Sequence, residues 1–113
     1  MKVAVIGSRG LQNRCYETIC AHVPRGCTEI ISGGAAGVDK QAERYAEEHK
    51  LKLTVVLPDY ATFEKSAPLI RNAEIVGRAD YVLVIWDGKS RGSHNVIMTC
   101  LKTNKPFHVF VLD

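Results

Sequence analysis

The sequence predicts an α/β protein with a five-stranded parallel sheet and about four helices arranged in three layers. Apolar runs of strand length recur along the 113 residues, and helical patterns separate them. The runs are apolar on successive residues, which is typical of strands buried on both faces of a parallel sheet. Strands that alternate with helices imply right-handed crossovers, so the predicted fold is a Rossmann-like sandwich.

The individual elements follow from this pattern. The predicted strands, rich in valine and isoleucine, are Val3–Ile6, Thr28–Ile31, Leu53–Leu57, Tyr81–Trp86 and Phe107–Leu112. The predicted helices are roughly Asn13–His22, Val38–Lys50, Ser66–Arg78 and Ser93–Thr103. Proline and glycine mark the boundaries: Pro58 ends the third strand, and Asn104-Lys105-Pro106 separates the last helix from the last strand. Without a linker or repeat, residues 1–113 are predicted to form a single domain.

The composition is that of a soluble globular protein, with 46% hydrophobic and 24% charged residues. The net charge of +3 suits a small anionic ligand but is too weak to indicate a nucleic-acid partner. The four cysteines have no zinc-site spacing, so we expect no metal and reduced thiols in a cytoplasmic protein. We also expect no targeting or membrane-spanning segment.

The loop Ser32–Asp39, with the sequence SGGAAGVD, is the most informative stretch. A strand that turns through glycines into a helix exposes free backbone N–H groups in the positive field of the helix dipole, which favours a phosphate. Gly33, Gly34 and Gly37 permit the sharp turn and a close ligand approach. Asp39, in the first helical turn, is expected to cap free N–H groups, and the alternative is a contact with a ribose or a base. The alternative is a tight connection that binds nothing.

Two further motifs belong to the same end of the predicted sheet. Gly7-Ser8-Arg9 follows the first strand, where the glycine permits close approach and the arginine can bind a phosphate with two parallel hydrogen bonds. The alternative is a turn with a solvated arginine. Arg71 and Asn72 stand near the front of the third predicted helix. The spacing alone favours an ordinary amphipathic helix with a solvated Arg71, and the alternative is a polar pair that points into the cleft.

A second helix start follows the fourth strand. Ser90, Gly92 and Ser93 supply backbone and hydroxyl donors there, while Lys89 and Arg91 add positive charge, which favours an anion site. The alternative is a long polar loop with two solvated cations. Because the carboxyl ends of parallel strands meet at one edge of the sheet, this helix start is predicted to face the same cleft as the glycine-rich loop.

The loop Pro58–Lys65, after the third strand, contains two aromatic residues, Tyr60 and Phe63. These rings could stack on a base, or they could equally cover the end of the core, which is the commoner use of such rings.

Taken together, the motifs Gly-Ser-Arg, Ser-Gly-Gly-Ala-x-Gly-Val-Asp, Arg-Asn-x-x-Ile-Val-x-x-Ala-Asp and Asp-Gly-x-Ser-x-Gly-Ser resemble the SLOG superfamily. This superfamily includes the DNA-processing protein Smf/DprA, the LOG phosphoribohydrolases and small YspA/YpsA-related domains. The chain is most similar to the last, stand-alone group, from Val3 to about Leu112. The resemblance implies a Rossmann-like domain that binds a nucleotide or a nucleotide-derived ligand.

Carried over by motif, the implied ligand contacts are Gly7, Ser8, Arg9, Ser32, Gly33, Gly34, Gly37, Asp39, Arg71, Asn72, Ser90, Gly92 and Ser93. The LOG enzymes use a Pro-Gly-Gly-x-Gly-Thr-x-x-Glu loop. Here Asp87-Gly88-Lys89 replaces its start, and His94-Asn95-Val96 occupies the places where carboxylates are expected. Cleavage of a glycosidic bond needs a nearby anion or general base, so no catalytic residue is assigned.

The sequence therefore predicts a domain that binds or senses a nucleotide-like small molecule, without a cofactor. One alternative is a hydrolase that cleaves an N-glycosidic bond, and another is a protein-interaction module with an empty cleft. A homodimer is compatible with the apolar helix surface, and a membrane partner is not expected. The absence of a basic run interleaved with aromatic residues argues against nucleic acid.

Overall fold

The computed structural model describes residues 1–112, apart from the side chains of Gln12 and Asn13. Its strands are β1 (Lys2–Gly7), β2 (Glu29–Ser32), β3 (Lys52–Val55), β4 (Tyr81–Trp86) and β5 (Phe107–Val111). They form one parallel sheet in the order β3-β2-β1-β4-β5. The chain therefore reverses its direction of travel across the sheet between β3 and β4, which leaves a switch point between β1 and β4. The predicted α/β, Rossmann-like architecture is confirmed.

The helices cover both faces of this sheet. They are α1 (Tyr16–His22), α2 (Val38–Glu48), α3 (Tyr60–Phe63), α4 (Ala67–Arg78) and α5 (Arg91–Thr103), with short 3-10 turns at Gln12–Cys15 and Glu64–Ser66. One core cluster joins the sheet to α1 and α2, and the other joins it to α4 and α5. Successive side chains of β1 alternate between the clusters, since strand side chains point to opposite faces: Val3 and Val5 belong to the first cluster, Ala4 and Ile6 to the second.

The one-turn helix α3 was predicted as part of a loop. The Asp59 side chain caps it by accepting a hydrogen bond from the Thr62 N–H at 3.1 Å. None of its four residues is buried. A helix that buries nothing has no apolar period, so the sequence pattern could not reveal it.

Burial on both faces holds only for the central strands. The middle residues of β1, all of β2 and Val82–Ile85 of β4 are buried, whereas β3 has no buried residue and β5 has none either. The prediction of five doubly buried strands is wrong for β3 and β5 because the strand order places these two at the edges of the sheet, where the helix layers cover them incompletely.

None of the helices in residues 1–112 combines the length and the apolar character that are needed to cross a membrane.

Candidate functional site

A cleft of about 490 Å³ opens at the carboxyl ends of β1, β2 and β4, beside the switch point of the sheet. The loops after these strands and the first half of α4 form its walls. Its lining residues are Ile6, Gly7, Arg9, Gly10, Gly33, Ala35, Asp39, Lys65, Pro68, Leu69, Arg71, Asn72, Asp87, Ser90, Arg91, Gly92 and Ser93.

Two helix starts face this cleft. Gly33, Ala35 and Asp39 contribute to it at the beginning of α2, and Ser90 and Gly92 contribute at the beginning of α5. The N-cap residue of neither helix makes a side-chain capping hydrogen bond. Both helices thus direct the positive end of their dipole toward the same space, which favours an anion there.

The thirteen residues predicted as ligand contacts divide into two groups. Those that line the cleft are Gly7, Arg9, Gly33, Asp39, Arg71, Asn72, Ser90, Gly92 and Ser93. Those outside the lining are Ser32, at the end of β2, and Ser8, Gly34 and Gly37, in the loops that form the wall. Whether any of the thirteen touches a ligand stays a prediction.

Ser8 connects two of the loops. Its buried hydroxyl accepts a hydrogen bond from the Asp87 N–H at 2.9 Å and lies 3.2 Å from the Ser90 hydroxyl. The Ser90 hydroxyl in turn donates to Ser93 at 2.9 Å. Asp87 Oδ1 accepts the N–H groups of Lys89 and Ser90, both at 2.8 Å, and these bonds lower the pKa of the Asp87 carboxyl. The hydroxyl of Ser8 therefore holds the loop after β1 against the loop after β4.

Ser32 performs a similar task in the glycine-rich loop. Its buried hydroxyl accepts the Gly34 N–H at 3.1 Å and lies 3.0 Å from a carboxylate oxygen of Glu43 and 3.2 Å from the Asp39 carbonyl. The turn out of β2 is thereby fastened to the first two turns of α2.

Gly37 brings the glycine-rich loop into contact with the loop after β1. Its φ is +75°, and a Cβ there would lie 2.5 Å from the Ser8 carbonyl oxygen and closer still to that of Arg9. The Val38 N–H donates to the same Ser8 carbonyl at 3.3 Å. Only glycine combines this backbone conformation with such close packing.

Asp39 is nearly buried, with 3% of its surface exposed. Its Oδ2 accepts the Ala35 N–H at 3.2 Å, whereas Oδ1 has no hydrogen-bond partner among the described residues. Burial raises the pKa of this carboxyl to about 6, although the Ala35 N–H and the charge of Arg71 act in the opposite direction. We expected the side chain to cap its own helix, but it reaches back to the preceding loop instead.

Arg71 is half-buried at the cleft, so the interpretation of it as a solvated residue of an ordinary amphipathic helix is wrong. Its Nη1 donates to the Gly33 carbonyl at 2.7 Å and its Nε to Asn72 Oδ1 at 3.0 Å. The buried Asn72 donates through Nδ2 to Asn95 on α5 at 3.0 Å. The bonds from Arg71 to Gly33 and from Asn72 to Asn95 join elements that are distant in sequence, and helical spacing cannot reveal them.

Cations outnumber carboxylates in the cleft. Its lining contains four basic side chains and two acidic ones; the basic ones are Arg9, Lys65, Arg71 and Arg91, and the acidic ones are Asp39 and Asp87. Among the described residues, none of these four cations is in an ion pair, and the ion pairs found lie on α2, on α4 and between β2 and β3. Lys65 and Arg91 were absent from the predicted contacts, although both follow strand ends.

Comparison with known proteins identifies relatives. The family model of DNA recombination-mediator protein A matches residues 1–66. A structure of DNA processing protein A from Helicobacter pylori, described for its single-stranded DNA binding mode, is 25% identical with a TM-score of 0.77. It matches 100% of this chain, which spans 66% of that one. DNA processing protein A from Streptococcus pneumoniae is 20% identical with a TM-score of 0.80, over 99% of this chain and 50% of that one. No curated protein sequence matches.

These relatives correct two predictions. The prediction of a nucleotide sensor or nucleotide hydrolase is wrong, because the relatives are DNA-processing proteins. The argument against nucleic acid is wrong as well, because the Helicobacter pylori relative binds single-stranded DNA. That argument required a continuous basic run, whereas the fold gathers four cations from separate segments into one cleft.

The resemblance to the SLOG superfamily is confirmed, and the relatives named here lie in its Smf/DprA branch. Because the family match covers residues 1–66 of 113, the chain belongs to the DNA recombination-mediator protein A family.

Proposed function

We propose that this chain binds single-stranded DNA through the cleft at the carboxyl ends of its strands. The observation that carries the proposal is the set of four cations that line the cleft without an ion pair among the described residues. Lysine and arginine that neutralise phosphates supply most of the sequence-independent affinity for nucleic acids. Binding of single-stranded DNA by the Helicobacter pylori relative supports the same partner here.

Within this proposal, the backbone phosphates of the strand occupy the space between the starts of α2 and α5. Arg9, on the loop after β1, and Arg91, the first residue of α5, border this space and add positive charge. Arg71 differs from them because its guanidinium is already held by Gly33 and Asn72. It therefore presents a fixed charge that requires little ordering when DNA binds. The remaining predicted contacts hold the loops in position.

The experiment is a titration of a fluorescein-labelled oligothymidylate with the protein, followed by fluorescence anisotropy. We expect saturable binding that weakens in Arg9→Ala and Arg91→Ala. Arg44→Ala is the matched control, because Arg44 lies on α2 in an ion pair with Glu48 and over the ring of Tyr16. The proposal fails if the wild-type protein does not bind, or if the control weakens binding as much as the cleft variants do.

The proposal treats residues 1–113 as one domain, since all five strands belong to one sheet and both helix layers pack on it. A role in DNA binding also agrees with the predicted cytoplasmic location, which stays a prediction.

A further inference from the structure

Exposed apolar side chains are concentrated in one segment of the molecule. Among the residues whose burial the structure describes, eleven large hydrophobic ones are exposed, and seven of these lie between positions 53 and 70: Leu53, Val55, Leu57, Tyr60, Phe63, Leu69 and Ile70. Isolated exposed apolar residues are normal, and the concentration of the others in one segment distinguishes it from the rest of the described surface.

Helix α3 displays two aromatic rings at the centre of this segment. Tyr60 is 58% exposed and Phe63 is 42% exposed, and neither belongs to a core cluster, so of the two uses that the sequence left open the structure does not support covering the end of the core. The rings are nevertheless held in place. The Asp59 cap fixes the start of the helix, and the chain leaves it at Glu64 through a left-handed conformation, with φ of +52°.

The segment that contains α3 contacts the glycine-rich loop at one end and reaches the cleft at the other. On one side, a Cβ at Gly34 would lie 2.7 Å from Leu57, so the chain leading into α3 packs against the glycine-rich loop. On the other side, Lys65 and Leu69, which follow Phe63, line the cleft themselves. Phe63 thus lies two residues before Lys65, which belongs to the cleft lining.

We propose that Tyr60 and Phe63 form a stacking platform for the bases of the DNA strand whose phosphates lie in the cleft. This inference rests on the proposed function. An aromatic ring stacks on any base, and a cationic groove beside exposed rings is the arrangement that binds single strands without sequence preference. Lys65 supplies a positive charge that complements the phosphates between the stacked bases. An apolar protein partner would not use this charge.

The experiment separates base contacts from phosphate contacts. The wild-type protein and Tyr60→Ala/Phe63→Ala are titrated with an oligothymidylate and with an abasic oligodeoxynucleotide of the same length. Each ring that stacks on a base is expected to contribute roughly 5- to 150-fold in affinity for the oligothymidylate. Affinity for the abasic strand and the salt dependence of binding are expected to stay unchanged, because the phosphate contacts are intact.

Two controls address the chemistry of the rings and the stability of the fold. Tyr60→Phe/Phe63→Tyr keeps both rings and is expected to bind like the wild type. Leu101→Ala removes an apolar side chain that is 56% exposed on α5, and it is expected to leave binding unchanged. Because α3 buries no side chain, thermal unfolding of the double alanine variant should match that of the wild type.

The outcomes distinguish the two proposals. If the wild type binds neither oligonucleotide, the proposed function itself is wrong. If it binds both equally well, or if the double alanine variant loses both equally, the stacking platform alone is overturned. Sedimentation of the same variants covers the remaining possibility. A wild-type dimer that dissociates in the double alanine variant, with oligothymidylate binding preserved, would make this segment an interface between two copies.

Discussion

Arg71 Nη1 donates a hydrogen bond of 2.7 Å to the carbonyl of Gly33, a residue 38 positions earlier in the chain. This bond fastens α4 to the glycine-rich loop that precedes α2. A Cβ at Gly33 would lie 2.9 Å from Arg71 Nη1 and 2.8 Å from Asp39 Oδ2. The loop, the guanidinium and the buried carboxylate thus meet at a residue whose lack of a side chain makes the contact possible.

Arg71→Ala should destabilise the protein as well as weaken DNA binding. Hydrogen bonds that involve a charged group contribute about 1.5–3 kcal/mol, and this variant loses the bonds to Gly33 and Asn72 together. Urea unfolding measures the loss. Arg78→Ala, on the same helix, is the matched control, because its exposed pair with Glu74 contributes about 1 kcal/mol or less. Equal losses in the two variants would contradict the structural role of Arg71.

Gly37→Ala should destabilise the fold, since the added methyl group would meet the carbonyl oxygens of Ser8 and Arg9. Strained backbone conformations of this kind cost on the order of 1–3 kcal/mol before the clash is counted. The comparison is Gly77→Ala, within α4, where nothing lies within 4 Å of the added Cβ. That change should stabilise the protein by about 0.5–1 kcal/mol. Thermal unfolding of both variants measures the difference. Melting-temperature shifts of the same sign would contradict the close packing of Gly37 against the loop after β1.

Asp39 should make the free energy of unfolding depend on pH. Its pKa of about 6 in the folded protein lies above the ordinary value of about 3.9, so the folded state holds the proton more tightly than the unfolded state. This contribution is fully present below about pH 4 and is lost as the pH rises through about 6, by an amount on the order of 3 kcal/mol.

The measurement for Asp39 is urea unfolding of the wild type and Asp39→Asn between these pH values. Asparagine keeps an oxygen for the Ala35 N–H and cannot ionise there, so the difference in stability between the two proteins should grow with pH. Taking this difference removes the opposite effects of Glu29 and Asp87, whose pKa values are lowered in the folded state. A difference that does not change with pH would show that Asp39 does not titrate in this range.

Binding of single-stranded DNA should weaken with salt in proportion to the phosphates that are neutralised. The logarithm of the binding constant falls by about 0.7 per contact for each tenfold rise in salt, so contacts from all four cleft cations would produce a slope of about −2.8. Arg9→Ala should reduce the steepness by about 0.7, and Arg44→Ala should leave the slope unchanged. Titrations at several salt concentrations test this, and an unaltered slope in Arg9→Ala would exclude a phosphate contact by that residue.

Patterns local in the chain revealed much of this protein. The apolar runs of β1, β2 and β4 predicted a parallel sheet because these strands are buried on both faces. Gly33, Gly34 and Gly37 marked a tight turn from strand to helix, which the positive φ of +75° at both Gly34 and Gly37 bears out. Such features depend on neighbouring residues and on burial, and both can be recognised from the order of residue types along the chain.

The tertiary structure determined the features that the periodicity of the sequence does not indicate. It placed β3 and β5 at the sheet edges, positioned Arg71 against Gly33, and exposed the rings of α3 instead of burying them. It also assembled Arg9, Lys65, Arg71 and Arg91, which are scattered along the sequence, in one cleft. The physical reason is that electrostatic potential depends on distance in space. Four isolated cations with no pattern in the chain become a single positive surface only when the strand ends meet at one edge of the sheet.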